Sequence, residues 1–210
     1  MAADRLSAWE SLFKHALSII DEATGLPESG WSFGGGTVLM RRYRHRVSRD
    51  VDIFVPDPQW LGYLTPRLNT QAESLVSDYV EQATFLKLYF NEGEIDFVVS
   101  QSLSTNPTID ETIFGRRIRV ETSAEIIAKK IWHRGAEFTA RDLFDFALVA
   151  EREPEALRNI AAIVEKRRDL LLSRLATQDA AIREDFEALE VLDFAPTYNA
   201  CAAALRRFLN

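Results

Sequence analysis

Two aspartates one residue apart, Asp50 and Asp52, are the first candidates for chemistry. On a strand, alternation places both carboxylates on one face, with Cα atoms ~6.5–7 Å apart. Hard oxygen ligands of this kind suit magnesium or manganese rather than zinc. The pair closes the run GGGTVLMRRYRHRVSRDVDIF, residues 34–54, which begins in three glycines, Gly34, Gly35 and Gly36. Glycine lets a backbone approach a ligand closely. The N–H groups at a helix start favour a phosphate, and Thr37 can add a hydroxyl. A tight turn without a ligand has the same sequence, and Asp-x-Asp also occurs on solvated strand faces.

A third carboxylate comes from EIDFVVS. If Ile95, Phe97 and Val99 face the core, Glu94 and Asp96 share the other face. If this strand neighbours residues 50–55, Asp96 joins the pair. Three carboxylates can hold two metals ~3.5–4 Å apart for in-line nucleotidyl transfer. On an exposed hairpin, Asp96 would have no such role. A fourth group lies in AKKIWHRGAEFTARDLFDF. Asp142 and Asp145 are three apart and share a helix face, and Lys129 and Lys130 precede them. A lysine here could reach a nucleotide phosphate; interhelical ion pairs would leave the same pattern.

The elements that must position these groups follow from periodicity. Leu6, Trp9, Phe13, Leu17 and Ile20 make residues 4–22 an amphipathic helix. WSFG reads as a strand entering the glycine turn, and TVLMRRYRH as a short helix. In RDVDIFVP, Val51, Ile53 and Val55 share one face and Ser48, Asp50 and Asp52 the other, which predicts a half-buried strand with an acidic side. Residues 59–78 read as helical. ATFLKLYF and EIDFVVS form a hairpin about NEGE, and IFGRRIRVE is a further strand. From residue 122 the texture becomes helical. Thr122 with Glu125 has the spacing of a capping box, and Thr139 with Asp142 caps the next helix. The chain therefore reads as an α/β half, about residues 1–120, followed by a helical half, about 121–210, with chemistry expected near their junction.

Composition bounds the function. The 210 residues suffice for a sizeable core. A net charge of −7 argues against a surface coated in positive charge for non-specific nucleic-acid binding. It leaves room for a local basic pocket: five arginines and His45 fall within residues 41–49. The one cysteine, Cys201, rules out a disulfide framework or a cysteine zinc site within one chain. The N-terminus lacks the pattern of a signal peptide, and no apolar run is long enough to span a membrane. A reducing cytoplasm is the expected compartment.

Taken in order, GGGT, HRVSRDVDIF, EIDFVV and KKI…TARDLFDF resemble the AbiEii/AbiGii-type nucleotidyltransferases. These are a branch of the DNA polymerase β-like nucleotidyltransferase superfamily that includes toxins of bacterial abortive-infection and toxin–antitoxin systems. The resemblance covers about residues 31–150. It implies an α+β fold, a polymerase β-like core of mixed sheet flanked by helices, with a C-terminal helical region completing the nucleotide and acceptor cleft. It implies that Gly35, Gly36 and Thr37 hold nucleotide phosphates, with Arg46 and Ser48 of the H-R-x-S segment nearby. Asp50, Asp52 and Asp96 would bind Mg2+ or Mn2+, with Glu94 the alternative third carboxylate. Lys130, or Lys129, would contact the nucleotide, with Asp142 beside the active site and Asp145 its neighbour. The implied reaction is nucleotide transfer from an NTP to a hydroxyl of RNA, such as a tRNA 3′ end, or of protein. The implied role is growth inhibition or phage defence, opposed by a cognate antitoxin, with no membrane partner. Modification of a small molecule such as an aminoglycoside, or nucleotide binding without catalysis, are the alternatives on the same fold.

Overall fold

The structure, a computed structural model, describes residues 2–210, apart from the side chains of residues 2–6 and 28. The chain divides into two compact units, each described by itself. The first comprises Met1–Val38, Ser48–Ser102 and Thr108–Glu121; the second comprises Leu39–Val47, Leu103–Pro107 and Thr122–Asn210.

The first unit is built on one sheet. Its strands are β1 (Ser32–Gly34), β2 (Val51–Val55), β3 (Asp78–Gln82), β4 (Phe85–Phe90), β5 (Gly93–Val99), β6 (Thr108–Ile113) and β7 (Arg116–Glu121). They lie in the order β3-β4-β5-β2-β1-β7-β6. Strand β2 runs antiparallel to β1 and parallel to β5, β1 runs parallel to β7, and the β3–β4, β4–β5 and β6–β7 pairs are antiparallel. The alternation read in RDVDIFVP holds: Val51, Ile53 and Val55 are fully buried. Ile95 and Phe97 on β5, and Leu86 and Leu88 on β4, continue this apolar face. Helix α1 (Ala2–Glu22) packs over β5 and β2 with Leu12, Phe13, Ala16 and Ile19 fully buried. Leu6, expected on the same helix face, lies outside the described side chains.

One expectation fails locally, and two edge strands carry no signal in the sequence. Residues 59–78 are not one helix: Thr65 turns extended before Pro66, as a residue preceding proline tends to, which separates α3 (Leu61–Leu64) from α4 (Thr70–Leu75). DYVEQ is instead the edge strand β3, and TIDETI the opposite edge strand β6. Edge strands carry polar residues on both faces, so neither has the apolar alternation that marks an inner strand.

Helix α2 (Gly35–Tyr43) starts at the glycine turn, and its residues are divided between the two units. The rest of the second unit is helical: α5 (Ser123–Arg134), α6 (Ala140–Arg152), α7 (Pro154–Arg158), α8 (Ala161–Glu165), α9 (Arg168–Thr177), α10 (Asp179–Glu187) and α11 (Tyr198–Leu209). Helix α6 sits among α5, α10 and α11, with Leu143, Phe144, Phe146 and Leu148 fully buried. Thr139 caps α6 in a complete capping box with Asp142. Thr122 caps α5, but Glu125 does not answer it: the Glu125 carboxylate accepts from the backbone of Leu103 and Ser104 and from the Ser104 hydroxyl. Among the described residues, no helix is long and apolar enough to cross a membrane.

Candidate active site

A row of residues crosses the first unit's sheet on the face opposite its apolar core. Gly34 on β1 pairs with Asp52 on β2, Asp52 with Asp96 on β5, and Asp96 with Lys87 on β4. Directly opposed residues on neighbouring strands project to the same face, so the two carboxylates and the ammonium lie side by side. Register distinguishes Asp96 from Glu94. Asp96 faces Asp52, whereas Glu94 sits opposite Tyr89 and pairs with Lys87. Asp96 Oδ2 lies 3.1 Å from the Lys87 ammonium, and Asp96 Oδ1 is buried with no hydrogen-bond partner. Burial and then the Asp52 charge push the Asp96 carboxyl up to about 6, against the pull of Lys87.

The glycine turn is fitted around carboxylates. Gly35 has φ +73, and a Cβ there would sit 1.8 Å from Asp52 Oδ2. A Cβ on Gly34 would sit 2.2 Å from Oε2 of Glu121, the buried last residue of β7, which accepts from the Ser32 hydroxyl. Thr37 is fully buried; its hydroxyl donates to the Asp50 carbonyl (2.5 Å) and shares a hydrogen bond with the Ser48 hydroxyl (3.0 Å). It thereby fixes the loop that delivers Asp50.

Strand β2 starts at Val51, so Ser48 and Asp50 precede it and the expected shared strand face stops short of them. The Asp50 carboxylate reaches 3.4 Å from the Cβ position of Gly93, and Asp52 lies against Gly35. Among the described residues, no three His, Cys, Asp or Glu side chains gather into a metal centre. The donors nevertheless fit a divalent cation in type. Two hard carboxylates face each other, one with an unpartnered buried oxygen, and their mutual repulsion is what a cation between them would relieve.

The second unit brings together Arg46, Lys130, Asp142 and Asp145, with His45. Arg46 forks Asp145 through Nε and Nη2, both at 2.7 Å, and His45 Nε2 meets Asp145 Oδ1 at 2.8 Å. Lys130 bridges Asp142 (2.6 Å) and Asp145 (3.1 Å), and Arg134 reaches Asp142 at 3.3 Å. Asp142 Oδ2 also accepts from the Thr139 backbone and hydroxyl. Burial alone would raise both carboxyls; Arg46 and Lys130 hold Asp145 well below its usual range, and Lys130 and Arg134 lower Asp142. Burial lowers His45 more than Asp145 raises it, so the ring is neutral at pH 7 and its Nε2–H donates to Asp145 Oδ1. The 44–47 segment is seated by backbone bonds from Val47 to Glu190, Leu192 to His45 and Asp193 to Arg44.

The expected residues therefore fall into two groups. Gly35, Gly36, Thr37, Ser48, Asp50, Asp52 and Asp96 belong to the first unit, and Arg46, Lys129, Lys130, Asp142 and Asp145 to the second. Lys129 stands apart from the network and pairs with Glu125 at 3.6 Å. Arg46, expected near a phosphate, is buried with its guanidinium on Asp145. Lys87 and Glu121 were missed. Hairpin register about Asn91 and Glu92 would have placed Lys87 opposite Asp96; the parallel β1–β7 pairing that delivers Glu121 has no local sequence signal.

A sequence model of one family, described as nucleotidyl transferase AbiEii toxin, type IV toxin–antitoxin system, matches residues 21–209. No curated protein matches the chain in sequence. Among solved structures, MenT4, the nucleotidyltransferase toxin Rv2826c from Mycobacterium tuberculosis H37Rv, superposes with a TM-score of 0.57 at 19% identity, covering 98% of this chain and 82% of that one. JHP933 from Helicobacter pylori gives 0.51 at 16% identity, covering 98% and 90%. The antibiotic-resistance factor ANT(2'')-Ia gives 0.47 at 16% identity, covering 82% and 97%. The mixed sheet with flanking helices is that of polymerase β-like nucleotidyltransferases.

Proposed function

This chain belongs to the AbiEii family of nucleotidyltransferase toxins, and on that premise we propose that it transfers a nucleotide from an NTP to a hydroxyl at the 3′ end of tRNA. The observation that supports this is the cross-strand pair Asp52 and Asp96, set beside a glycine turn that opens a helix, with Asp96 Oδ1 buried and unpartnered. The acceptor oxygen forms a bond to the α-phosphorus, the bond to the β-phosphate oxygen breaks, pyrophosphate leaves, and the hydroxyl proton passes to a carboxylate or to solvent. Asp52 and Asp96, with Asp50, would hold Mg2+ or Mn2+, which supplies neutralisation of the triphosphate and a more acidic attacking hydroxyl.

The chain's own part is positional. The backbone N–H groups that open α2 favour the triphosphate. Gly35 leaves room for the Asp52 carboxylate, and Thr37 holds the Asp50 loop in place. Within the second unit, the Lys130 ammonium is held by Asp142 and Asp145. The product is a blocked tRNA end, which would slow growth until a cognate antitoxin intervenes; the reaction belongs in the cytoplasm, where tRNA and NTPs are found.

Incubation of the protein with each labelled NTP, Mg2+ and total tRNA tests this. Label should appear on tRNA and vanish with EDTA or in Asp52→Asn. Label on an added aminoglycoside alone would replace the acceptor, and nucleotide binding with no transfer to any acceptor would sink the proposal.

A further inference from the structure

Lys87 lies outside every motif that carries the family resemblance, yet it occupies a defined place in the row. It sits directly opposite Asp96 on β4, between Leu86 and Leu88, both fully buried, so its backbone cannot shift without disturbing the core. Its side chain is 27% exposed, and its ammonium contacts Glu94 Oε2 and lies 3.1 Å from Asp96 Oδ2. Glu94 and Asp96 are two apart on β5 and share its face, so the ammonium is held from two sides.

A carboxylate has two equivalent oxygens and a soft terminal torsion. Unrestrained, Asp96 could turn either oxygen toward Asp52. The ammonium removes that freedom: Oδ2 is engaged, and Oδ1 remains without a hydrogen-bond partner. It also offsets the repulsion between two carboxylates facing each other in a half-buried site. Because the lysine occupies Oδ2, it does not compete for the oxygen left to a ligand.

We propose that Lys87 is a positioning residue of the catalytic site, which ties Asp96 Oδ2 and so presents Oδ1 to a divalent cation shared with Asp52. This rests on the reading of Asp52 and Asp96 as the cation-holding pair.

Titration of the full chain with Mn2+ alone, without nucleotide or acceptor, tests both levels separately. The readout is free Mn2+ followed by electron paramagnetic resonance. Lys87→Met should weaken Mn2+ binding by roughly 10-fold or more, the size of effect seen when a partner of a metal ligand is lost. Lys87→Arg, which keeps a cation there, should bind close to wild type. If Lys87→Met does not fold by circular dichroism, Lys87→Gln is measured in its place. Wild type that takes up no Mn2+, or Asp96→Asn that binds as well as wild type, would overturn the cation-site reading itself. Loss in Asp96→Asn with undiminished binding in a folded Lys87→Met would overturn the lysine's role alone and leave that reading standing.

Discussion

Asp52 and Gly35 constrain each other. The carboxylate occupies the space a Cβ on Gly35 would need, and the backbone there has φ +73. Gly35→Ala therefore forces either the turn or Asp52 to move. The strain of a non-glycine residue at such a φ is about 1–3 kcal/mol, and the clash with Asp52 adds to it. Urea unfolding should show at least that loss, and nucleotide transfer should fall with it; an alanine variant with wild-type stability and rate would show that the contact is soft. On the proposed reading, Asp52→Asn and Asp96→Asn should each lower transfer by roughly 100-fold or more while leaving the far-ultraviolet spectrum unchanged, since each would take a hard oxygen from the proposed cation and keep the shape. Sequence spacing pointed to all of these positions. It could not show that the glycine is required by the aspartate rather than by a ligand alone, because that contact joins residues seventeen apart across a β-strand pair.

At the scale of elements, the H-R segment and helix α6 form a charge-balanced unit. Arg46 and Lys130 face Asp142 and Asp145 around a neutral His45, nearly all of it inaccessible to water. Removing one member of a buried pair leaves an uncompensated charge, which costs about 3–5 kcal/mol. Arg46→Ala should show that loss in urea, whatever its effect on transfer. The network also sets an acid response. Asp145 is held below its ordinary 3.8, so its contribution is present above that value and is lost as pH falls through its lower folded value. His45 is held below 6.5, so the unfolded chain gains its proton first, and stability declines as pH drops below 6.5. Between pH 7 and 5, the urea midpoint of wild type should fall more steeply than that of His45→Gln. Parallel slopes would mean that His45 is not buried in its neutral form. The two aspartates were legible as a helix face. Arg46, the partner of Asp145, lies 99 residues from it, beyond any local pattern.

For the whole molecule, family membership makes a cellular prediction. Induced wild type should slow growth, and Asp52→Asn at equal expression should not. Identical growth of the two strains would count against a toxin that works through this site. The acidic chain makes a further point about charge. Of the five arginines that crowd residues 41–49, Arg46 is buried on Asp145 and Arg44 is an exposed partner of Asp193. The run is thus not one positive patch.

By itself the sequence determined the inner strands β2, β4 and β5, the glycine turn, the capped helices α5 and α6, and which side chains are candidates for chemistry. These follow from period, turn residues and side-chain type, which act over a few positions. The tertiary structure decided what depends on strand order and register. It set Asp96 rather than Glu94 against Asp52, put Lys87 opposite Asp96, carried Glu121 to Gly34 and committed Arg46 to Asp145. Pairing between distant segments is selected by the packing of the whole core, and a one-residue shift in a strand's register would turn its side chains to the other face.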